Sequence, residues 1–185
     1  KMAEKVLGDL DPKKTLKANL NGVFSRATSP IWMDSSTGTE CDEIRDALGG
    51  MVPTSETTGS TTFARFTGPQ IRKFYKEDPT AYGETWRIGL VSSFIASVLV
   101  GQIAPIDYGD GAGMNLMDIR SRAWHARAMR GTAPELANKL PGLVEPWRVI
   151  GQVSPYFPGK YGLRSDVRIV AWSGDNPNSV IGLGL

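Results

Sequence analysis

The sequence has few of the residues that build disulfides and zinc sites. It contains one cysteine, Cys41, and one histidine, His125. A single cysteine excludes an intrachain disulfide, which fits a reducing compartment. Because there is no Cys/His cluster, we expect no structural zinc site. The sequence therefore predicts a cytoplasmic protein with no metal ligands of its own.

Neither charge of one sign nor a long apolar run dominates the sequence. Its 21 Lys and Arg residues and 19 Asp and Glu residues leave a net charge of +2, and the basic residues are dispersed. Nucleic-acid and anionic-membrane binding need a concentrated basic stripe, so we expect neither partner. The longest apolar run, residues 94–100, is far too short to span a bilayer. No secretory signal pattern opens the chain.

What is present is the composition of an ordinary α/β domain. The chain has 185 residues, of which 41% are hydrophobic and 22% charged, enough for one domain with a proper core. It begins with Lys1 and stops at Leu185, inside a helix that Pro177 is predicted to open. We therefore expect an interior segment of a longer protein. The last apolar residues then need a cover, from further chain or by self-association with a second copy: Val180, Ile181, Leu183 and Leu185.

Hydrophobic spacing and turn residues predict helices and strands in alternation. Thr37 followed by Glu40 has the spacing of a capping box, and Gly49-Gly50 ends the helix that it opens. The other predicted helices cover residues 2–7, 67–77, 92–100, 120–129, 134–140 and 155–161. Predicted strands cover residues 30–33, 87–90, 149–153 and 167–172, and predicted loops cover 53–60 and 107–113.

Asp175 is the strongest candidate for chemistry that the residues themselves indicate. It follows a predicted buried strand and a Ser173-Gly174 turn. Because a residue before proline avoids the helical region, Asn176 is predicted as the N-cap and Pro177 as the first helical residue. Asp175 then stands free after a strand, where α/β sheets bind ligands and where a carboxylate can take a proton from a hydroxyl. The residues equally allow a turn aspartate that only stabilises the loop.

Arg65 and the glycine-rich segment 107–113 are two further candidates. Arg65 lies between two phenylalanines ahead of a predicted helix, where a guanidinium donates to a ligand or pairs with a buried carboxylate. The residue type by itself favours the pairing. The glycine-rich segment lacks the lysine and Ser/Thr of a phosphate loop and the spacing of a dinucleotide fold. Asp107 and Asp110 lack the other ligands of a calcium loop, so a conformational loop is predicted.

Four segments, in unbroken order, resemble the FGGY family of carbohydrate kinases. Residues 30–37 resemble its Trp-x-Asp turn into a helix, and residues 65–71 resemble its Phe-Thr-x-Pro/Gln helix start. Residues 107–119 are similar to its Asp-Ala-Ser-Gly loop, and Gly174-Asp175-Asn176-Pro177 is similar to its Gly-Asp-Asn turn. Residues 60–65 depart from its usual Ser-Arg-Ala-Tyr-Glu-Arg, although the arginine matches. The sequences of residues 91–94, 104–108 and 115–116 are similar to those of the eukaryotic-type xylulose kinases of the family.

The resemblance implies the α/β fold of a ribonuclease-H-like domain, of the actin/hexokinase ATPase type, in incomplete form. Residues 1–185 then form most of the N-terminal, sugar-binding domain of such a kinase, with residues 1–28 matching less distinctively. The family's opening Asp-x-Gly phosphate turn and its His-Gly sugar motif are not among these residues. Its nucleotide-binding C-terminal domain is absent from them as well.

The resemblance also implies an activity and a role for each matched residue. The implied reaction transfers the γ-phosphoryl group of ATP, with Mg²⁺, to D-xylulose and yields D-xylulose 5-phosphate. Asp175 is then the general base, Asn176 binds the sugar, and Arg65 matches the family's sugar-contacting arginine. ATP and Mg²⁺ are expected to bind mainly outside this segment, so the segment alone is expected to be inactive. Two alternatives stay open: a kinase for another ketose such as ribulose, and a non-catalytic sugar-binding or interaction module.

Overall fold

The computed structural model describes residues 2–184, which form twelve helices and six short strands. The helices in chain order are α1 (Met2–Gly8), α2 (Leu16–Asn19), α3 (Gly38–Leu48), α4 (Met51–Thr58), α5 (Thr67–Glu77), α6 (Pro79–Glu84), α7 (Val91–Val100), α8 (Tyr108–Ala112), α9 (Ala126–Thr132), α10 (Leu136–Lys139), α11 (Tyr156–Tyr161) and α12 (Asp175–Gly182). The strands are β1 (Ile106–Asp107), β2 (Met117–Asp118), β3 (Ala123–Trp124), β4 (Leu143–Val144), β5 (Val149–Gln152) and β6 (Arg168–Val170).

The strands of residues 2–184 pair in twos. β1 pairs with β4 in parallel, whereas β2 pairs with β3 and β5 with β6 in antiparallel fashion. In β6 only Ile169 is buried, and Val170 is 44% exposed. The strand predicted at 167–172 is present as β6, but within β6 its predicted burial is wrong at all but Ile169, because β6 belongs to an antiparallel ribbon with one open face. The mixture of helices with parallel and antiparallel strands is α/β, as predicted.

The main core lies between α3, α5 and α9. Buried side chains from all three helices form one cluster, which includes Ile44, Leu48, Ile71, Phe74 and Met129. Spacings of three and four residues put these side chains on one face of each helix. Ile44 is completely buried, and burial of such a side chain contributes about 1.5–3 kcal/mol. A smaller cluster packs residues 7–20 against α7 and α11, and it contains Leu7, Leu10, Leu20, Val98 and Tyr156.

α3 begins after Thr37 and ends at Gly49, as predicted. The predicted capping box is wrong, because the Thr37 hydroxyl donates to the carbonyl of Ala64. The Glu40 carboxylate instead accepts from Lys76 Nζ of α5 at 2.7 Å. Gly49 has a φ of 101°, which residues with a Cβ rarely adopt. The side chains expected to cap α3 therefore join it to α5 and to the segment before α5.

The predicted loop at 53–60 is wrong, because residues 51–58 form the helix α4. Pro53 lies in the first turn, where the missing N–H has no intrahelical acceptor to lose. The hydroxyls of Thr54 and Thr58 donate to the carbonyls four residues earlier, at 2.7 and 3.1 Å. Both threonines are buried. A segment rich in Ser and Thr thus forms a buried helix face.

The predicted strands at 30–33 and 87–90 are also wrong, since neither segment has a strand partner. Trp32 is 71% exposed, so the apolar pattern at 30–33 belongs to a surface turn. At 87–90, a single backbone bond of 2.9 Å from Ile88 to the Lys139 carbonyl is formed instead of a ladder.

Residues 107–124 form a one-turn helix and a hairpin in place of the predicted loop and helix. The Asp107 carboxylate caps α8 by accepting the N–H groups of Gly109 and Asp110, each at 3.0 Å. Asp118 accepts the N–H groups of residues 120 and 121, and this turn leads β2 back into β3. The helix predicted for 120–129 therefore begins only at Ala126, as α9.

The apolar residues of the last turns are exposed. Val180 is 48% exposed, Ile181 72% and Leu183 74%. Leu185, the fourth apolar residue of the predicted tail, lies outside the described residues, as does Lys1. Within residues 2–184, no helix combines the length and the apolar character that crossing a bilayer requires. That further chain or a second copy buries these side chains stays a prediction.

Candidate active site

Asp175 and Asn176 lie in the first turn of α12. Gly174 is the N-cap residue, with an extended backbone at φ −67° and ψ 163°, and the helix starts at Asp175. The predicted N-cap at Asn176 is therefore wrong. Gly174 already supplies the extended residue, and Pro177 falls in the first turn, where a backbone N–H has no intrahelical acceptor and proline can lack one. Asp175 is the first helical residue instead of standing outside the helix.

The Asp175 and Asn176 side chains are accessible at the positive end of the α12 dipole. Both residues are exposed, and Asp175 Oδ1 accepts the N–H of Asn176 at 2.9 Å. A helix N-terminus favours a negative charge. An anionic carboxylate within reach of a ligand is what general-base chemistry requires.

Asp107 holds the residue two positions before Asp175. Ser173 Oγ donates to Asp107 Oδ2 at 2.8 Å, and the Asp107 side chain is almost completely buried. The same carboxylate caps α8. Asp107 therefore ties the start of α8 to the turn between β6 and α12.

Asp110 lies against the residue directly before Asp175. A Cβ added at Gly174 would lie 2.3 Å from Asp110 Oδ1. The Ser92 hydroxyl, from the first turn of α7, donates to Asp110 Oδ2. Burial raises the pKa of Asp110, and the Asp107 and Asp175 carboxylates raise it further, against the opposing effect of the Ser92 hydrogen bond. Three carboxylates are thus gathered around the Ser173-Gly174 turn.

Sequence reasoning missed Asp110, Ser92 and Ser173 as parts of this site. The one sequence signal for them is the three-residue spacing of Asp107 and Asp110, and the same spacing is common at the start of an ordinary helix. Ser92 lies 18 residues from Asp110, and Ser173 lies 66 residues from Asp107. Contacts at such separations leave no mark on local spacing.

Within residues 2–184, no hydrogen bond or ion pair joins Arg65 to Asp175 or Asn176. Its guanidinium lies 5.0 Å from the ring centre of Phe63 and 5.7 Å from that of Trp32. No ion pair of Arg65 is present in this part of the chain. The predicted pairing with a buried carboxylate is therefore wrong, and the charge rests on two aromatic faces.

The segment after α8 anchors the residues before Arg65. The buried Asn115 Nδ2 donates to Ser60 Oγ at 3.1 Å and to Thr58 Oγ1 at 3.2 Å. Gly68 N, just after Arg65, donates to the Met114 carbonyl at 2.9 Å. The Arg65 segment and the Asp175 turn are therefore attached to opposite ends of residues 107–116.

Within residues 2–184, neither a metal-ion cluster nor free N–H groups at the start of α8 are available to Mg²⁺ and the phosphates of ATP. Within residues 2–184, no group of three or more His, Cys, Asp and Glu side chains is arranged to hold a metal ion. The N–H groups of Gly109 and Asp110, which a phosphate would need, already bind Asp107. The chemistry of this site is therefore derived from Asp175 and its neighbours alone.

The family model for the N-terminal domain of FGGY carbohydrate kinases matches residues 27–182. The chain belongs to this family. Among its relatives are xylulose kinase 2 of Arabidopsis thaliana, 49% identical over 185 residues, and the xylulose kinase of Rattus norvegicus, 42% identical over 183 residues. These alignments cover 100% and 99% of this chain but 33% and 34% of the relatives. The chain thus spans about a third of the length of the curated relatives it matches.

Solved structures of FGGY kinases share the fold. The ligand-bound xylulose kinase of Lactobacillus acidophilus has a TM-score of 0.73 at 18% identity, over 85% of this chain and 32% of that one. The xylulose kinase of Rhodospirillum rubrum has a TM-score of 0.73 at 18% identity, over 82% of this chain and 30% of that one. The predicted actin/hexokinase-like fold class of the FGGY kinases is confirmed.

Proposed function

We propose that the protein carrying this chain phosphorylates D-xylulose to D-xylulose 5-phosphate, with ATP as the phosphoryl donor and Mg²⁺ as its metal ion. The observation that carries the proposal is the 42–49% identity to xylulose kinases over the whole chain. Residues 1–185 then make up most of the N-terminal sugar-binding domain, and a C-terminal domain outside them binds the nucleotide. The same proposal includes a cytoplasmic location.

In this proposal Asp175 is the general base. Its carboxylate takes the proton of the C5 hydroxyl of the sugar as that oxygen forms its bond to the γ-phosphorus of ATP. The bond from this phosphorus to the ADP oxygen breaks, so ADP leaves and the proton remains on Asp175. Support comes from the exposed position of Asp175 at the start of α12.

Asn176 and Arg65 bind the sugar in the same proposal. Asn176 is exposed next to Asp175, and its amide can donate to and accept from hydroxyl groups. Arg65 is exposed and keeps its charge unpaired within residues 2–184, so its five N–H donors are available to a ligand.

Asp175→Asn in the full-length protein tests the role of the base. We expect kcat to fall by about 100- to 10,000-fold, because removal of a general base typically costs this much. The dissociation constant for D-xylulose, measured by calorimetry without ATP, should change by no more than about threefold.

Asp166→Asn is the matched control for this variant. It makes the same chemical change at an exposed aspartate that pairs with Arg164 on the surface, and we expect a kcat equal to that of the parent. A near-normal kcat for Asp175→Asn would return Asp175 to the role of a turn residue. Kinetics with D-xylulose, D-ribulose and related ketoses would separate the proposed substrate from the alternatives.

Residues 1–185 alone should release no ADP above background when D-xylulose and ATP are supplied. The reason is that the proposal places the nucleotide-binding domain outside these residues, and within residues 2–184 no cluster of carboxylates, histidines or cysteines is arranged to hold the Mg²⁺ of ATP. Circular dichroism would establish that the segment is folded during this assay. Turnover by the folded segment would contradict the proposed division into two domains.

A further inference from the structure

The two residues before Asp175 are each held by a carboxylate from the start of α8. Asp107 accepts the hydroxyl of Ser173 at 2.8 Å, and Asp110 lies against Gly174. α8 and α12 also lie close together, since a Cβ added at Gly109 would lie only 3.0 Å from Pro177 Cγ. The backbone that leads into Asp175 is therefore fixed from one side by a single short segment.

Asp110 is itself fixed by a third element. The hydroxyl of Ser92 donates to Asp110 Oδ2, and Ser92 lies in the first turn of α7. One oxygen of Asp110 thus faces α7 while the other faces the backbone at Gly174. Asp110 links the start of α7 to the start of α12.

Fold stability does not account for a carboxylate in this place. Asp110 forms no ion pair within residues 2–184, and it is partly buried beside two other carboxylates. Burying an unpaired charge near like charges lowers the free energy of unfolding. Such a group is expected where geometry at a functional site has priority over stability.

We propose that Asp110, held by Ser92, is a positioning residue for Asp175. It keeps Gly174 in the extended N-cap conformation and so sets where the carboxylate of Asp175 stands relative to the sugar. The inference rests on the proposed function, because it assigns Asp110 a role only through Asp175.

Asp110→Ala in the full-length protein should lower kcat by about 10- to 100-fold, because small displacements of a catalytic group cost this much. The KM for D-xylulose should change by less than about threefold, because sugar binding does not depend on the base. The melting temperature should change little, since the lost hydrogen bond from Ser92 is offset by the removal of an unpaired, partly buried carboxylate.

The conservative variant Asp110→Asn should restore most of the turnover that Asp110→Ala loses. Its amide oxygen can face Gly174, and its NH₂ group can donate to Ser92 Oγ, which accepts as well as donates. Asp166→Ala, at an exposed surface pair, is the control and should equal the parent in kcat.

A double-mutant cycle with Asp175→Asn distinguishes positioning from a general structural role. Once the base is removed, adding Asp110→Ala should change the residual rate by less than about threefold, because Asp110 acts through the missing carboxylate. Equal losses in both backgrounds would overturn the inference, as would an Asp110→Asn variant no better than Asp110→Ala. A normal kcat for Asp110→Ala beside an inactive Asp175→Asn would overturn this inference alone. A normal kcat for Asp175→Asn would remove the proposed base and this inference with it.

Discussion

Gly174 has no room for a methyl group. Its φ of −67° is open to any residue, so the restriction comes from space and not from backbone strain. The added Cβ would lie 2.3 Å from Asp110 Oδ1, well inside the usual contact distance. The residue before the candidate base is therefore restricted to glycine by the space that Asp110 leaves.

Gly174→Ala in the full-length protein should lower kcat by about 10-fold or more, because the clash displaces Asp175 or Asp110. Steady-state kinetics with D-xylulose measures this. Gly182→Ala is the matched control in the same helix, since nothing lies within 4 Å of its added Cβ. The control should keep its kcat and gain at most about 0.5 kcal/mol of stability, because Gly182 is the last residue of α12 and not an interior one. Equal kcat values for the two variants would contradict the steric argument.

Among the contacts between secondary-structure elements, the packing of α3 on α5 includes an ion-pair network. Arg72 Nε donates to Glu43 at 2.6 Å, and Lys76 Nζ lies 3.1 Å from the same carboxylate. The hydrogen bonds from Arg72 and Lys76 hold the pKa of Glu43 below its usual 4.5, against the opposing effect of burial. The stabilisation is therefore fully present above pH 4.5 and is lost as the pH falls through the lowered pKa.

Glu43→Gln should lower the free energy of unfolding by about 0.5–1 kcal/mol at pH 7, because partly exposed pairs contribute little more than this. The difference from the parent should shrink as the pH falls below 4.5. Urea unfolding at several pH values measures both effects. Glu77→Gln removes a wider, exposed pair with Lys73 at 3.8 Å and should have almost no effect. A pH-independent loss for Glu43→Gln would point to packing instead of charge.

Over the whole molecule, the last turns leave apolar side chains uncovered on α12. Residues 1–185 in isolation should self-associate through this surface, because exposed apolar groups gain free energy on burial. Sedimentation should then show that Ile181→Glu with Leu183→Glu lowers the associated fraction. Val52→Glu is the control, since Val52 is also 66% exposed but lies on α4.

The full-length protein distinguishes the two covers for this surface. If further chain covers α12, Ile181→Glu with Leu183→Glu should leave the association state of the full-length protein unchanged in sedimentation. A segment that stays monomeric at all concentrations would contradict the self-association.

Amino-acid order alone was enough for the fold class and the family, and it proposed Asp175 and Asn176 as site residues. Helix ends at Gly49 and Gly101 were predictable because a glycine in the left-handed region acts within one turn. Asp175 and Asn176 could be proposed as site residues because their turn is contiguous in the chain. Secondary-structure propensity gave the wrong prediction at residues 53–60, where a loop was expected. The hydroxyls of Thr54 and Thr58 there bond to helix carbonyls and are buried in α4.

Only the tertiary structure decided what surrounds Asp175. Asp110 meets Ser92 across 18 residues, and Asp107 meets Ser173 across 66. It also decided that Arg65 stacks on aromatic rings instead of pairing with a carboxylate. The physical reason is that caps and periodicity depend on neighbours within one or two turns, whereas these contacts exist only after the chain has packed. A hydrogen bond between a hydroxyl and a carboxylate far apart in sequence cannot be predicted from the residues next to either group.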